Sequence, residues 1–435
     1  MTTVIATIPD SNAVGRSALR KANLRILPLL GLGYGAAILD RNNIGFASLQ
    51  MNHDLHFSAT MYGFGAGLFF LGYAACEIPS NLLLYRFGAR RWIARILFTW
   101  GLLAMGMMLV RTPIQFYCMR FLLGMAEAGF FPGAVFYLMH WFPNYMRARA
   151  ISRFYIAASL AGVVNGLLAG PLLSLQGKLG LAGWQWLFLV EGLLPAVLGV
   201  LYLVYLPDHP GEAKWLTTEE RNWLIHSIDQ EMAGVISHGG VMKALRDPRI
   251  WQFGLVSFCM MACIYTYLFS APAVLQQSTA WSVSKIAVIM ACISVLCAIA
   301  LVSNAKHSDQ SGERYWHMAT PMLLMAVGFE LSGLLSGAAV APALAVGAVC
   351  FYATQGIFFA MPATFMKGKA AAVGIAAINS ISMLGGFVGP LWMGLMKDRT
   401  GSYRIGLITL AIPSLIGAAM TLFLRSRTLE ERRSP

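Results

Sequence analysis

Four ionisable residues interrupt stretches apolar enough to lie in lipid. Asp40 and Arg41 fall within ILPLLGLGYGAAILDRNNIGFA, and Arg120 and Glu127 within QFYCMRFLLGMAEAGFF. A charge near the bilayer centre costs at least about 2.5–3.5 kcal/mol on insertion scales, so such a group reads as functional. A buried carboxyl can carry a proton. A buried guanidinium can clamp a carboxylate through its planar two-donor fork. At a rise of about 1.5 Å per residue, Asp40 stands about 21 Å up its helix from one face, and Arg120 about 7–8 Å in from the other. In a core of about 30 Å the two are nearly level. Glu127, seven residues past Arg120, shares its helix face about 10 Å deeper, close to the midplane.

These heights set the expectations for the site. Asp40 and Arg120 form a buried ion pair, either a lock between two helices or part of a proton-coupling site. Glu127 has no cation at its depth, and burial without a counter-charge favours a protonated carboxyl. It is therefore expected to couple protons. Arg41 is turned about 100° from Asp40 on the helix, so it faces a central cavity if Asp40 faces the Arg120 helix. Arg41 and Arg120 are the deep cations of the chain, which favours a monocarboxylate substrate. Polar residues that complete a pocket are Tyr73 and Asn165, then Tyr265, Tyr267, Gln355, Asn379 and Ser380, with Asn379 foremost. Glu77, Glu191 and Glu330 read as structural, and Asn42 and Asn43 receive no role.

The elements that must hold these residues follow from composition. The 435 residues are 57% hydrophobic and only 12% charged, against about 25% charged in soluble domains. Apolar stretches of about 20 residues, enough to span a bilayer, recur at 26–47, 60–84, 93–110, 115–139, 151–175, 184–206, 250–276, 283–303, 316–336, 340–362, 370–396 and 404–424. The expected class is an all-α membrane protein with twelve transmembrane helices. The first 24 residues lack the apolar core of a signal peptide and read as a cytoplasmic tail. The seven cysteines all fall in apolar stretches without disulfide or zinc spacing and read as packing residues.

Lys and Arg alternate between loops as the positive-inside rule requires, placing both termini in the cytoplasm. Lys397, Arg399 and Arg404 are the one outer exception. That bias accounts for the net charge of +13 without nucleic acid. The domains read as a tail (1–25), a six-helix bundle (26–206), a cytoplasmic linker (207–249), a second six-helix bundle (250–424) and a tail (425–435). In the linker, Thr217 and Glu220 form a capping box before apolar Trp223, Leu224 and Ile228. MKALRDPRIW reads as a short lead-in helix to span seven. LLYRFGARRW and KHSDQSGERYW occupy matching loops, with Gly88 and Gly312 equally far into their halves. That is the mark of a parallel internal repeat, as in alternating-access carriers. Arg86, Gly88 and Arg90 in one loop, and Asp309, Gly312 and Arg314 in the other, are the gating candidates.

The chain has no G-x-x-x-x-G-K-[ST] phosphate loop, no G-x-S-x-G elbow and no metal-ligand spacing. It is expected to be no enzyme, to need no cofactor or metal, and to be a carrier driven by ion gradients. The rival readings are a facilitator or exporter of organic anions, and a receptor that does not translocate.

LDRNNIGFA, EIPSNLLLYRFGARRW, MRFLLGMAEAGFFPG, WQWLFLVEGLLPA, HSDQSGERYWH and INSISMLGGFVGP together resemble the anion:cation symporter family of the major facilitator superfamily, over nearly the whole chain. The resemblance implies the major facilitator fold of two six-helix bundles, in a plasma membrane of the bacterial inner-membrane type. It implies proton-coupled uptake of a small organic anion: a sugar acid, hydroxy acid or aromatic acid. Asp40 and Glu127 match the family's proton-binding positions, and Arg41 its substrate-carboxylate arginine. Arg120 matches the arginine that pairs with the first aspartate, and Tyr73 and Asn379 match pocket positions. SNLLL and GARRWIAR lie nearer the tartrate and aromatic-acid branch. Tyr85 and Gln310 depart from the family's loop motifs, which leaves the first gate to Arg86 and Arg90. A monomer, with protons, the anion and the bilayer as partners, is the expectation.

Overall fold

In lipid every backbone N–H and C=O must be satisfied internally, so apolar segments of this length have helix as their outcome. A computed structural model describes residues 13–232, 246–361 and 368–433. Each of the twelve expected spans is helical in it. Spans one to three are Leu27–Asp54, Ala59–Phe87 and Ala89–Gly106. Span four is two helices, Pro113–Glu127 and Phe130–Met139. Spans five and six are Asn144–Leu173 and Gly183–Tyr205. Spans seven to eleven are Pro248–Thr279, Val283–Ser311, Tyr315–Leu334, Val340–Ala360 and Gly368–Thr400. Span twelve is Arg404–Thr409 with Ala411–Arg433. Eleven helices among the described residues are long and apolar enough to cross a membrane. Span nine, 20 residues long, is the exception, because His317 and Glu330 lower its hydropathy.

The internal repeat is carried in the packing. In the first half, span one packs on five, two on four, and three on six; in the second, seven packs on eleven, eight on ten, and nine on twelve. Between the halves the contacts are two with eleven, five with eight, and one with seven, the set that a two-fold exchange of the halves generates. Gly88 and Gly312 cap spans two and eight at φ +84° and +67°, a left-handed conformation that glycine adopts without strain. The matched loop glycines thus both end their helices at positive φ, with ψ of 148° at Gly88 and 8° at Gly312.

Two glycines bring the site helices together. A Cβ on Gly124 of span four would fall on the Phe69 carbonyl oxygen, and one on Gly72 of span two on that of Phe121. The close crossing presses Phe69 and Tyr73 against the face of span four that carries Arg120 and Glu127. Just beyond Glu127 the helix stops. Gly129 turns at φ +89°, and Ser80 donates to the freed Ala128 carbonyl at 2.7 Å. Glu127 therefore ends a helix in the middle of the bundle.

The linker forms as expected where it is described. Thr218–Met232 is a helix. Its capping box is closed by the Glu220 amide to Thr217 Oγ1 at 3.2 Å and the Thr217 amide to Glu220 Oε2 at 2.8 Å. Residues 233–245 lie outside the described residues, so the lead-in helix is seen only from Pro248, where it runs straight into span seven. Glu220 also receives Lys21 Nζ at 2.8 Å and Ser17 Oγ at 2.6 Å, fastening the helix Ala13–Arg25 to the linker. Burial opposes its charge, but these donors prevail and draw its carboxyl down to about 2. A group so depressed stabilises the fold above the unfolded value of about 4.3 and loses that effect as pH falls toward about 2. The melting-temperature gap between wild type and Glu220→Gln is expected to be constant from neutral pH to about 5 and to close below about 4. A gap unchanged at low pH would refute the assignment.

Candidate functional site

The four charged residues and their surroundings come from spans one, two, three and four. Arg41 donates from Nε to Glu127 Oε1 at 2.7 Å, and its Nη2 meets the same oxygen at 2.5 Å. The Arg41 guanidinium lies over the Tyr73 ring at 5.0 Å and the Phe69 ring at 5.5 Å. Glu127 is wholly buried, and its Oε2 has no hydrogen-bond partner among the described residues. Asp40 turns the other way. Its Oδ2 accepts from Trp100 Nε1 at 2.8 Å, and its Oδ1 from Asn43 Nδ2 at 3.4 Å. Arg120 donates from Nη2 to the Ala66 carbonyl at 3.2 Å and stacks on Phe69 at 5.0 Å.

Two expectations change here. The Asp40–Arg120 ion pair is not made, and Glu127 does have a cation, Arg41. Height along a helix fixes level but not azimuth. The 100° between neighbours points Arg41 at span four and Asp40 at span three. With both acids ionised the cluster balances, two carboxylates against two guanidiniums. A buried pair that loses one partner leaves an uncompensated charge, at about 3–5 kcal/mol.

The remaining pocket candidates divide into three places. Tyr265 packs on Phe70 at 4.2 Å between ring centroids, beside the cluster. Asn165 and Tyr267 line a cavity of about 30 Å³ with Asn42, Phe46, Met290 and Tyr352. The Asn165 Oδ1 and Gln355 Nε2 atoms are buried and have no hydrogen-bond partner among the described residues. Asn379 instead bridges the halves, its Nδ2 2.8 Å from both oxygens of Glu77; Ser380, half-buried, is its neighbour. Glu330 is exposed on the bundle's outer surface. No cluster of three or more metal-ligating side chains exists among the described residues.

Of the gating candidates, Arg90 is bound to the start of the linker. Its amide meets Asp208 Oδ1 at 2.9 Å and its Nε lies 3.4 Å from Asp208 Oδ2. Arg86 lies against Phe87 at 5.6 Å, and Asp309 is exposed. In the second loop the organising acid is Glu313, which caps the Trp316 amide at 2.8 Å and faces Arg425 at 3.7 Å.

Sequence reasoning missed the closure at the face opposite the Ala13–Arg25 helix. Tyr62 donates to the carbonyls of Ile44 and Phe269, at 3.1 and 2.9 Å, tying spans one, two and seven. Asp398 of span eleven accepts the Ala59 and Thr60 amides at the start of span two, at 3.0 and 2.8 Å. Its only sequence signal was its place inside the anomalous basic cluster. A carboxylate at a helix N-terminus contributes about 0.3–1 kcal/mol, so Asp398→Ala is expected to open this face about two- to fivefold more often. Alkylation of a cysteine introduced at Phe64, which packs on Phe387 across the halves, measures it. An unchanged rate would remove Asp398 from the closure.

The family model described as Major Facilitator Superfamily matches residues 30–390. A putative tartrate transporter of Agrobacterium vitis is 45% identical over 417 residues, 95% of this chain and 92% of that protein. A quinolone resistance transporter of Acinetobacter baumannii is 37% identical, over 93% and 94% of the two chains. In structure, a bacterial homologue of the human lysosomal transporter Spinster, crystallised inward-facing and unoccupied, aligns with a TM-score of 0.77 at 18% identity, over 94% of this chain and 98% of that one. At that identity the likeness concerns the fold.

Proposed function

The chain belongs to the Major Facilitator Superfamily and is a transporter of small molecules, and on that premise we propose that it imports a small organic carboxylate together with protons. The observation that carries this reading is the Arg41–Glu127 pair. A substrate carboxylate and Glu127 compete for one guanidinium. While Glu127 is ionised, Arg41 is occupied from within. A proton on Glu127 cancels the internal anion and frees the fork for the substrate. Substrate anion and proton then enter the buried cluster together, and its charge stays balanced. Asp40 is the second proton-coupling group, with Arg120 as its long-range counter-charge. Tyr73 orients Arg41, and Asn165, Tyr265, Tyr267, Gln355, Asn379 and Ser380 supply polar contacts as the halves rock.

The alternation of Lys and Arg supports both termini in the cytoplasm of a bacterial-type inner membrane, with bundles at 26–206 and 250–424. The resemblance to tartrate transporters supports hydroxy acids as the first substrates to try. The quinolone resistance relative favours a second reading, outward transport. Uptake of sugar, hydroxy and aromatic acids into proteoliposomes, with and without an inward pH gradient, separates the two. Accumulation that follows the proton gradient inward supports import. Efflux against an opposed gradient replaces it with export.

A further inference from the structure

One buried acid stands outside the proposed mechanism. Glu191, in span six, is 3% exposed, and no described group hydrogen-bonds either of its oxygens. Span one packs on span six, and the span-one groups that interact with Glu191 are Asn43, beyond strict hydrogen-bond geometry, and the like charge of Asp40. Asn43 is 1% exposed, gives its amide nitrogen to Asp40 Oδ1 at 3.4 Å, and leaves its own Oδ1 without a donor. Counted from the ends of their helices at Asp54 and Gly183, Asn43 and Glu191 lie about 16 and 12 Å from the same face. Span three packs on span six here through Ala104 and Met105, and its Arg90, Arg91 and Arg95 lie at the opposite end, as do Arg147, Arg149 and Arg153 of span five. Arg111 and Lys178 lie at the Gly183 end of span six, and among the described residues no cation pairs with Glu191. Two acceptor-only groups, an ionised Glu191 and the Asn43 carbonyl oxygen, would face one another in a low-dielectric interior.

We propose that Glu191 is a further proton-carrying carboxyl that shares one proton with Asp40 across the Asn43 amide. The proton on Glu191 donates to Asn43 Oδ1, which holds the amide nitrogen toward Asp40. Asp40 then stays an anion between Trp100 and Asn43. When the amide turns over, its nitrogen serves Glu191 and its oxygen faces Asp40. The turning amide carries no proton itself, so water admitted when the bundles open takes the Glu191 proton, breaking that O–H bond, and gives one to Asp40, where a new O–H bond forms. One proton is conserved, and each arrangement satisfies all three side chains. The two acids titrate as a unit. Asn43, without a role on sequence grounds, is the hinge of this relay. The inference rests on the proton-coupled reading of the cluster, because a shared proton matters only if Asp40 changes its own.

Infrared difference spectroscopy of the purified carrier at neutral pH tests the proton directly. A protonated-carboxyl C=O band is expected in wild type and in Glu127→Gln, and is expected to vanish in Glu191→Gln. Asn43→Ser is expected to move the band though neither acid is altered, which keeps the test open if Glu191→Gln does not fold. In proteoliposomes Glu191→Gln, with its amide fixed toward Asn43, is expected to lower pH-driven accumulation about tenfold per pH unit while substrate exchange persists. A band that survives Glu191→Gln overturns the proposal, as does a band present only when sodium is withheld, since the oxygens would then hold that ion. Wild type that accumulates with pH while Glu191→Gln does so equally refutes the relay alone. Wild type with no pH-driven accumulation defeats the coupling reading itself.

Discussion

Glu127→Gln is expected to remove the share of pH-driven accumulation that Glu127 carries while leaving substrate exchange intact. Each proton carried per substrate adds about a tenfold concentration ratio per pH unit across the membrane, and the variant is expected to lose one such factor. Glutamine keeps the shape and can still accept from Arg41, but it carries no charge to compete for the guanidinium. Substrate affinity should therefore hold or rise. In wild type, affinity should weaken as pH increases, because the ionised carboxylate takes Arg41 back; in the variant it should be flat with pH. Radiolabelled uptake and counterflow in the same vesicles separate the two activities. Accumulation equal to wild type in Glu127→Gln would remove Glu127 from the coupling.

Arg41 is the second position of large effect, and its variants fail for different reasons. Arg41→Ala strands a buried carboxylate whose removal from its partner costs about 3–5 kcal/mol, so a lower melting temperature and no measurable binding are expected. Arg41→Lys keeps the charge but loses the planar fork. A charge-assisted hydrogen bond contributes about 1.5–3 kcal/mol, so Kd is expected to rise about ten- to a hundredfold. The pairing itself is tested by combining Arg41→Ala with Glu127→Gln, which should recover much of the stability lost by Arg41→Ala alone. Additive losses in that cycle would mean the two side chains do not act on each other.

The fold was legible because lipid leaves few options. Apolar length located all twelve spans, and the loop glycines Gly88 and Gly312 disclosed the repeat that the packing then displays. In span nine His317 and Glu330 dilute the apolar character, yet its length still marked it as a span. The buried charged cluster was legible in its members more than in its partnerships. Charge in an apolar context singled out Asp40, Arg41, Arg120 and Glu127, and depth ranked them. Neither quantity carries rotation about the helix axis, so the pairing of Arg41 with Glu127 was out of reach. Trp100 was illegible outright, since an indole in an apolar helix is ordinary until an acid is found beneath its N–H. Asp398 and Tyr62 act on backbone groups of distant spans, and no pattern of residue types encodes that.

The seat of Arg41, an arginine over two aromatic rings with a single carboxylate oxygen against it, bears on slippage. A carrier that moves protonated but empty dissipates the gradient, and one that moves loaded but unprotonated stalls against the membrane potential. The first species would hold Arg41 with only ring faces for company, and the second would hold two anions against one guanidinium. Each is a charge imbalance in a low-dielectric interior, whereas the species with both passengers and the species with neither are balanced. On the proposed mechanism the same contact would penalise the two wasteful crossings, and leak through the unloaded carrier is expected to be slow without any separate gate to prevent it.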